Sequence, residues 1–336
     1  MSYKFRQEVS AWKLVNIFFV ASLLFLGLYF YCQSQDYINH LSAQYTIQVY
    51  GPMMEYKLLG FVEQKTIQPN KCIANGVPVL LYHGILYEDS NGTVSATNFR
   101  EQMLALKQAG YHSITLQEFS AYVSSNASLP QKPILITFDD GRKDSYYPSD
   151  PVLKELGYNA VMFVITEQLQ GSDFHLSEKE LRKMVDSKRW ELGSHGFRAH
   201  DLVVVDSSGD KGHFLASRLW QNNSKEGDDA FKVRVTSDLI ESKIMLEDTF
   251  GITVDSFAVP YSDMGLGNNS ILLNSIKFVY PITFYQVPPT GSDILNHPFE
   301  RFFYKRINVE PSWTAGDLLN LLETNVCPSQ KKIPQL

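Results

Sequence analysis

Pro133-Ile134-Leu135-Ile136-Thr137-Phe138-Asp139-Asp140-Gly141 decides the fold of this 336-residue chain. Its first half is short, apolar and rich in β-branched residues, the pattern of a strand buried on both faces. Two adjacent carboxylates stand where the strand must end, because Gly141 permits a turn that other residues resist. Burying one carboxylate at the rim of a core is costly, and two like charges cost more. A cation beside the pair resolves that cost; a solvated Asp-Asp-Gly turn avoids it.

Outward from this stretch the same pattern recurs. Val77 to Tyr82 is an apolar strand that delivers His83. Ala160 to Ile165 is another, and Trp190 to Ser194 delivers His195. Ser256 to Tyr261 ends in a Pro-Tyr turn, and Phe278 to Tyr285 and Phe302 to Val309 are further strand candidates. Between them lie helix signatures. Asn98 with Glu101, Thr115 with Glu118 and Ser177 with Glu180 have capping-box spacing. Val235, Leu239, Leu246 and Phe250 mark a long helix closed by Gly251, and Ala315 to Leu322 a last one. Strand, helix, strand in this order predicts a parallel α/β architecture. Asp206 to Ala230, rich in Ser, Gly, Asp, Asn and Lys, breaks the rhythm as an inserted surface loop.

Composition sets the bounds. With 44% hydrophobic and 20% charged residues the chain is an ordinary globular one, and a net charge of −6 gives no reason to expect nucleic acid as partner. Three cysteines are too few for a disulfide scaffold; Cys72 and Cys327 are the one candidate pair in the soluble part. Leu14 to Cys32 is apolar over nearly the length that crosses a bilayer. Lys4, Arg6 and Lys13 precede it and no basic residue follows closely. That asymmetry predicts an uncleaved single-pass anchor, with the N-terminus cytoplasmic and the rest outside.

In parallel α/β folds sites form at the carboxyl ends of strands. Four such ends, carrying His83, Asp139-Asp140, His195 and Pro260-Tyr261, would converge on one face. His195-Gly196-Phe197-Arg198-Ala199-His200 places two imidazoles five residues apart, a spacing that needs a turn to serve one ligand. Two imidazoles with a carboxylate make an open divalent-metal site.

Thr137 to Gly141 and Gly193 to His200 resemble the first two signature motifs of the polysaccharide deacetylases, the carbohydrate esterases with a NodB-homology domain. Pro78 to His83 and Phe257 to Tyr261 are most similar to the branch that includes the poly-N-acetylglucosamine deacetylases. The resemblance implies a distorted (β/α) barrel of about seven strands, here preceded by one transmembrane helix. It implies that Asp140, His195 and His200 bind one divalent metal, by default zinc. Asp139 would be the base, Tyr261 would offer its backbone N–H to the oxyanion, and His83 would be the general acid.

The chain then divides into a cytoplasmic tail (1–13), an anchor (14–32), a stem (33–75), the deacetylase domain (76–325) and a tail (326–336). The expected activity is removal of N-acetyl groups from an N-acetylglucosamine-type surface or matrix polysaccharide. An O-acetyl esterase and a non-catalytic polysaccharide-binding module are the alternatives.

Two positions depart from the family pattern. An arginine commonly precedes the third-motif proline, where this chain has Ala258-Val259. Arg306 either substitutes for it or is a salt-bridged surface arginine. Gly196 stands where relatives commonly carry Thr or Ser, which would loosen the site.

Overall fold

A computed structural model of the protein describes residues 74–86, 93–265, 269–289 and 293–326. Seven parallel strands close on themselves: β1 (Val77–Tyr82), β2 (Pro133–Phe138), β3 (Ala160–Val164), β4 (Trp190–Ser194), β5 (Ser256–Ala258), β6 (Ile282–Val287) and β7 (Phe302–Asn308). Each pairs with its neighbours in chain order, and β1 pairs with both β2 (Val79 with Leu135) and β7 (Leu80 with Ile307), which shuts the ring. This is the seven-stranded (β/α) barrel that the resemblance implied, built from the parallel strands that the strand pattern predicted.

The helices follow as the sequence order requires. They are α1 (Ala96–Gln108), α2 (Leu116–Ser125), α3 (Lys143–Leu156), α4 (Glu178–Asp186), α5 (Asp228–Phe250), α6 (Ser270–Val279) and α7 (Ala315–Val326). Between β6 and β7 runs a two-residue strand, Leu295–Asn296, paired antiparallel with β1. The capping boxes at Thr115–Glu118 and Ser177–Glu180 are formed. That of α1 lies upstream of the expected place: Ser95 caps the helix and accepts from the Asn98 amide at 3.2 Å. The strand expected from Phe278 begins only at Ile282. Asn269 caps the Leu272 amide and starts α6, which runs through Phe278 and leaves that ring on the surface.

Because strand side chains alternate between faces, each barrel strand has an inner and an outer set. Val77, Val79, Leu135, Val161, Phe163, Ala258, Ile282, Phe284 and Tyr304 form the inner core. Leu80, Tyr82, Ile134, Ile136, Phe138, Ala160, Met162, Trp190, Leu192, Phe257 and Ile307 pack outward, in the layer shared with the helices. At the amino end of the strands α2 plugs the barrel, its Phe119 ring 5.4 Å from Phe284 and 5.2 Å from Tyr304. The interior is full enough that Gly193 has no alternative: a Cβ there would stand 2.4 Å from the Phe163 ring.

The insertion between β4 and β5 carries two short hairpins, Leu202–Val204 with Lys211–His213 and Trp220–Gln221 with Ser224–Lys225. Arg234 of α5 staples it, donating to the carbonyls of Phe214 and Ser217 and forking onto Glu226 at 2.7 and 2.9 Å. The Leu14–Cys32 anchor and the Cys72–Cys327 pair lie outside the described residues. Among the described residues no helix is long and apolar enough to cross a membrane.

Candidate metal centre and active site

The inner face of each strand, continued past its carboxyl end, supplies the site. His83 follows Val77 and Val79 in the alternation of β1, and Asp139 follows Leu135 and Thr137 in that of β2. Ile165, His195 and Gln286 stand at the corresponding positions of β3, β4 and β6. All five line one cleft of about 680 Å³, with Asp140, His200 and Tyr261. The structure thus brings together all six residues singled out from the sequence.

Asp140 sits at φ +70, a left-handed conformation that a non-glycine residue adopts at some cost. The following Gly141, at φ +67, completes the turn. Asp140 Oδ1 lies 3.2 Å from His200 Nε2 and 3.5 Å from His195 Nε2, so one oxygen and two nitrogens face a common point. His195 is buried, and its Nδ1 lies 2.7 Å from the Ala258 carbonyl. A carbonyl only accepts, so Nδ1 carries the proton and Nε2 keeps its lone pair for a ligand. Burial would push the Asp140 carboxyl up, but the adjacent His195 and His200 imidazoles hold it far below the usual carboxylate range. Burial pushes His200 down, toward the neutral form that ligates. An anionic oxygen and two imidazoles aimed at one point are a donor set suited to a divalent first-row cation.

Asp139 turns the other way. Arg306, 0% exposed on β7, donates from both terminal nitrogens to its two oxygens at 2.7 Å each. The same guanidinium reaches Thr137 Oγ1 at 3.3 Å. The surface reading of Arg306 is therefore wrong: it is a buried clamp on Asp139. Burial would raise the Asp139 carboxyl, but Arg306, His195 and His83 together hold it low, so it stays ionised. Its Oδ2 lies 3.7 Å from His195 Nε2, beside the metal point.

Tyr261, at φ +55, is pinned from two sides. Its hydroxyl donates to the His200 carbonyl at 3.0 Å, and its ring stacks on His213 at 4.1 Å and 10°. His213, from the inserted hairpin, is held in turn by Asp263 at 2.7 Å. Phe174, which also lines the cleft and is exposed, carries Arg142 over its ring at 4.4 Å.

Residues 126–277 match the family model described as Polysaccharide deacetylase. The chain carries a polysaccharide deacetylase domain. YxkH of Bacillus subtilis (strain 168), named for polysaccharide deacetylation, is 35% identical over 120 residues, 36% of this chain and 40% of that one. The poly-beta-1,6-N-acetyl-D-glucosamine N-deacetylase of Staphylococcus aureus (strain N315) is 26% identical over 211 residues, 61% of this chain and 67% of that one. The chain therefore spans about two fifths of the first relative and about two thirds of the second.

Among solved structures, a de-N-acetylase from Aggregatibacter actinomycetemcomitans superposes with a TM-score of 0.66 at 20% identity, covering 74% of this chain and 100% of that one. IcaB from Ammonifex degensii gives a TM-score of 0.58 at 25% identity, covering 75% and 98%.

The deacetylase domain model spans Asp139 to Tyr261 but not His83 or Arg306, which complete the site from β1 and β7. Sequence reasoning missed three further groups: the Ala258 carbonyl that orients His195, the His213–Asp263 pair behind Tyr261, and Asp238. Asp238 lies on α5 in line with Phe231, Val235, Ser242 and Leu246, all buried. A carboxylate on the core-facing stripe of a helix was the signal that could have found it. The Gly196 departure also gains a reason. At φ +86, a Cβ there would stand 2.2 Å from Ala199 Cβ, so the turn between the two histidines is built around a glycine.

Proposed function

We propose that this chain is a metal-dependent deacetylase that removes N-acetyl groups from an N-acetylglucosamine-type polysaccharide outside the cytoplasm. The observation that carries this reading is the division of labour between adjacent carboxylates. Asp140 faces two imidazoles while Asp139, beside it, is clamped by Arg306 and held ionised. A divalent cation, zinc by default, held by Asp140, His195 and His200 would acidify water and polarise the acetyl carbonyl.

The chain's own residues do the rest. Asp139 accepts the proton of the attacking water, and Arg306 keeps both its oxygens fixed while it does so. The backbone N–H of Tyr261 steadies the negative oxygen of the tetrahedral intermediate. His83, at the end of β1, gives a proton to the sugar nitrogen as the C–N bond breaks. Acetate and a free amine result.

The substrate class draws support from the name of the staphylococcal relative and from the cleft itself. It is open to solvent and flanked by the aromatic rings of Phe174 and Tyr261, apolar faces against which sugar rings can lie. The anchor at Leu14–Cys32 and the positive flank before it support a cell-surface placement.

The test is acetate release from β-linked N-acetylglucosamine oligomers, with and without a chelator and with Asp140→Ala. Acetate released by the native protein alone, and restored by adding a divalent metal after chelation, is the expected result. No release from any N-acetylated oligomer, or release indifferent to chelator, would overturn the reading.

A further inference from the structure

Two histidines five residues apart on a helix would point about 140° away from each other. His195 and His200 instead both reach Asp140, because residues 196–199 make a tight turn. What holds that turn is not in the turn itself. Asp238, from the middle of α5, accepts the Phe197 amide at 3.2 Å through Oδ1 and the Arg198 amide at 2.6 Å through Oδ2. One helical turn further on, Ser242 meets Ser194 at 2.7 Å, and Ser194 Oγ accepts the Gly196 amide at 3.1 Å. Three successive amides between the candidate ligands are thus gathered by groups anchored to one helix. Successive backbone N–H groups of this kind form a concave seat for an anion.

Asp238 is only 5% exposed. A carboxylate costs several kcal/mol to bury unless it is well hydrogen-bonded. Its hydrogen bonds go to those two amides and to no side chain among the described residues. Packing alone would be served better by Leu or Ala at this position, in line with Val235 and Leu246. The fit is close on the other side too: a Cβ on residue 196 would come within 3.1 Å of Asp238 Oδ1.

We propose that Asp238 is a positioning residue for the metal centre, holding the 195–200 turn so that both imidazoles present Nε2 to the same ion as Asp140. The inference rests on the metal-centre reading above. It assigns to α5, which contributes nothing to the cleft lining, control over the geometry of two ligands.

The experiment uses the full-length chain, stripped with a chelator and titrated with Co²⁺. Visible absorption reports ligand geometry, and competition with a metal indicator gives the Kd. Native protein, Asp238→Asn, Asp238→Ala and His200→Ala are compared, with the Tm of each metal-free protein as a check on folding. Native protein should bind one equivalent and His200→Ala should lose it. Asp238→Asn keeps one acceptor, so its Kd should rise by about 10-fold, and that of Asp238→Ala by about 100-fold, the span typical of groups that orient ligands. Both should alter the Co²⁺ bands.

If Asp238→Ala does not fold, Asp238→Asn carries the test. A folded Asp238 variant with native Kd and native bands, while His200→Ala fails to bind, would overturn the role of Asp238 and leave the metal centre standing. Native protein that binds no Co²⁺ would overturn both.

Discussion

Arg306 grips both oxygens of Asp139 at 2.7 Å from a strand two places round the barrel. Both side chains are almost wholly buried, the arginine 0% and the aspartate 2% exposed, with Asp139 reaching solvent only through the cleft that it lines. The pair explains how an aspartate beside a second aspartate stays ionised: the positive charge that holds it so is fixed, planar and bidentate. Removing one partner of such a buried pair leaves an uncompensated charge, typically at a cost of about 3–5 kcal/mol. Arg306→Ala should therefore lower the Tm by several degrees and reduce turnover by about 10²- to 10⁴-fold, as loss of a positioned base does. Arg306→Lys keeps the charge but not the fork and should fall between. Calorimetry and acetate release check both; native values in Arg306→Ala would show the clamp to be dispensable.

Gly196 is expected to be irreplaceable for a reason unrelated to chemistry. Its φ of +86 is a conformation that costs an L-residue roughly 1–2 kcal/mol. The 2.2 Å approach of a new Cβ to Ala199 adds to that. Gly196→Ala should remain folded, because the barrel lies elsewhere, yet retain little metal after dialysis. The double variant Gly196→Ala, Ala199→Gly relieves the contact but not the backbone, and should recover part of the loss. Metal content measured by atomic emission decides it. Full occupancy in Gly196→Ala would mean that the turn tolerates a different path.

Much of this site was legible because period-two alternation puts strand-end residues on a known face. Val79, Leu135 and Phe163 point inward, so His83, Asp139 and Ile165 had to emerge at one mouth. Arg306 was not decidable on the same grounds. Lys305 and Arg306 are neighbours on β7 and must face opposite ways. Lys305 goes outward to Asp293 and Glu300, at 3.1 Å each, and Arg306 inward. Which goes where depends on the register of β7, fixed only when Leu80 pairs with Ile307 to close the ring. Asp238 was hidden differently: the stripe of α5 marks it as a buried carboxylate, but its partners are backbone amides some forty residues earlier, which no side-chain pattern identifies. Phe278 misled because a run of Phe, Val and Tyr has strand propensity, whereas the cap at Asn269 commits it to a helix.

The inserted segment should loosen in acid before the barrel does. Glu226 accepts from Arg234 and from the Leu219 amide, tying the insertion to α5. Burial would raise its carboxyl, but Arg234 and Leu219 outweigh that and hold it below its ordinary value. A carboxylate depressed in the folded state contributes stability above its unfolded pKa of about 4.3, and that stability is lost as pH falls through the folded value. Glu226→Gln should therefore be less stable than the native protein at pH 7, by roughly 1–3 kcal/mol for a charged hydrogen bond. The gap should narrow as the pH is lowered from about 5 to about 3. Calorimetric Tm values across that range test the sign. A gap that is constant or widens in acid would show the Glu226–Arg234 pair to be irrelevant to stability.

His83 should be the residue that separates amides from activated esters. It follows Val77 and Val79 on the inner face of β1, lines the same cleft as Asp139 and His195, and lies near enough to help hold Asp139 ionised. Its backbone carbonyl is tied by the Ser145 hydroxyl at 2.8 Å, so the loop that carries it is fixed and its ring can be aimed. A structural histidine would fit that description as well, and the two roles diverge only in the leaving group. An amine cannot depart from the tetrahedral intermediate until its nitrogen takes a proton, whereas a nitrophenolate leaves as an anion. His83→Ala should therefore lose about 10²- to 10⁴-fold in turnover on N-acetylglucosamine oligomers, the usual range for a missing general acid. It should lose far less on 4-nitrophenyl acetate, and it should keep its full complement of metal, because no metal ligand has been touched. Equal losses on both substrates, or loss of metal with loss of activity, would place His83 in the frame of the site and leave the proton donor to be found elsewhere on the cleft wall.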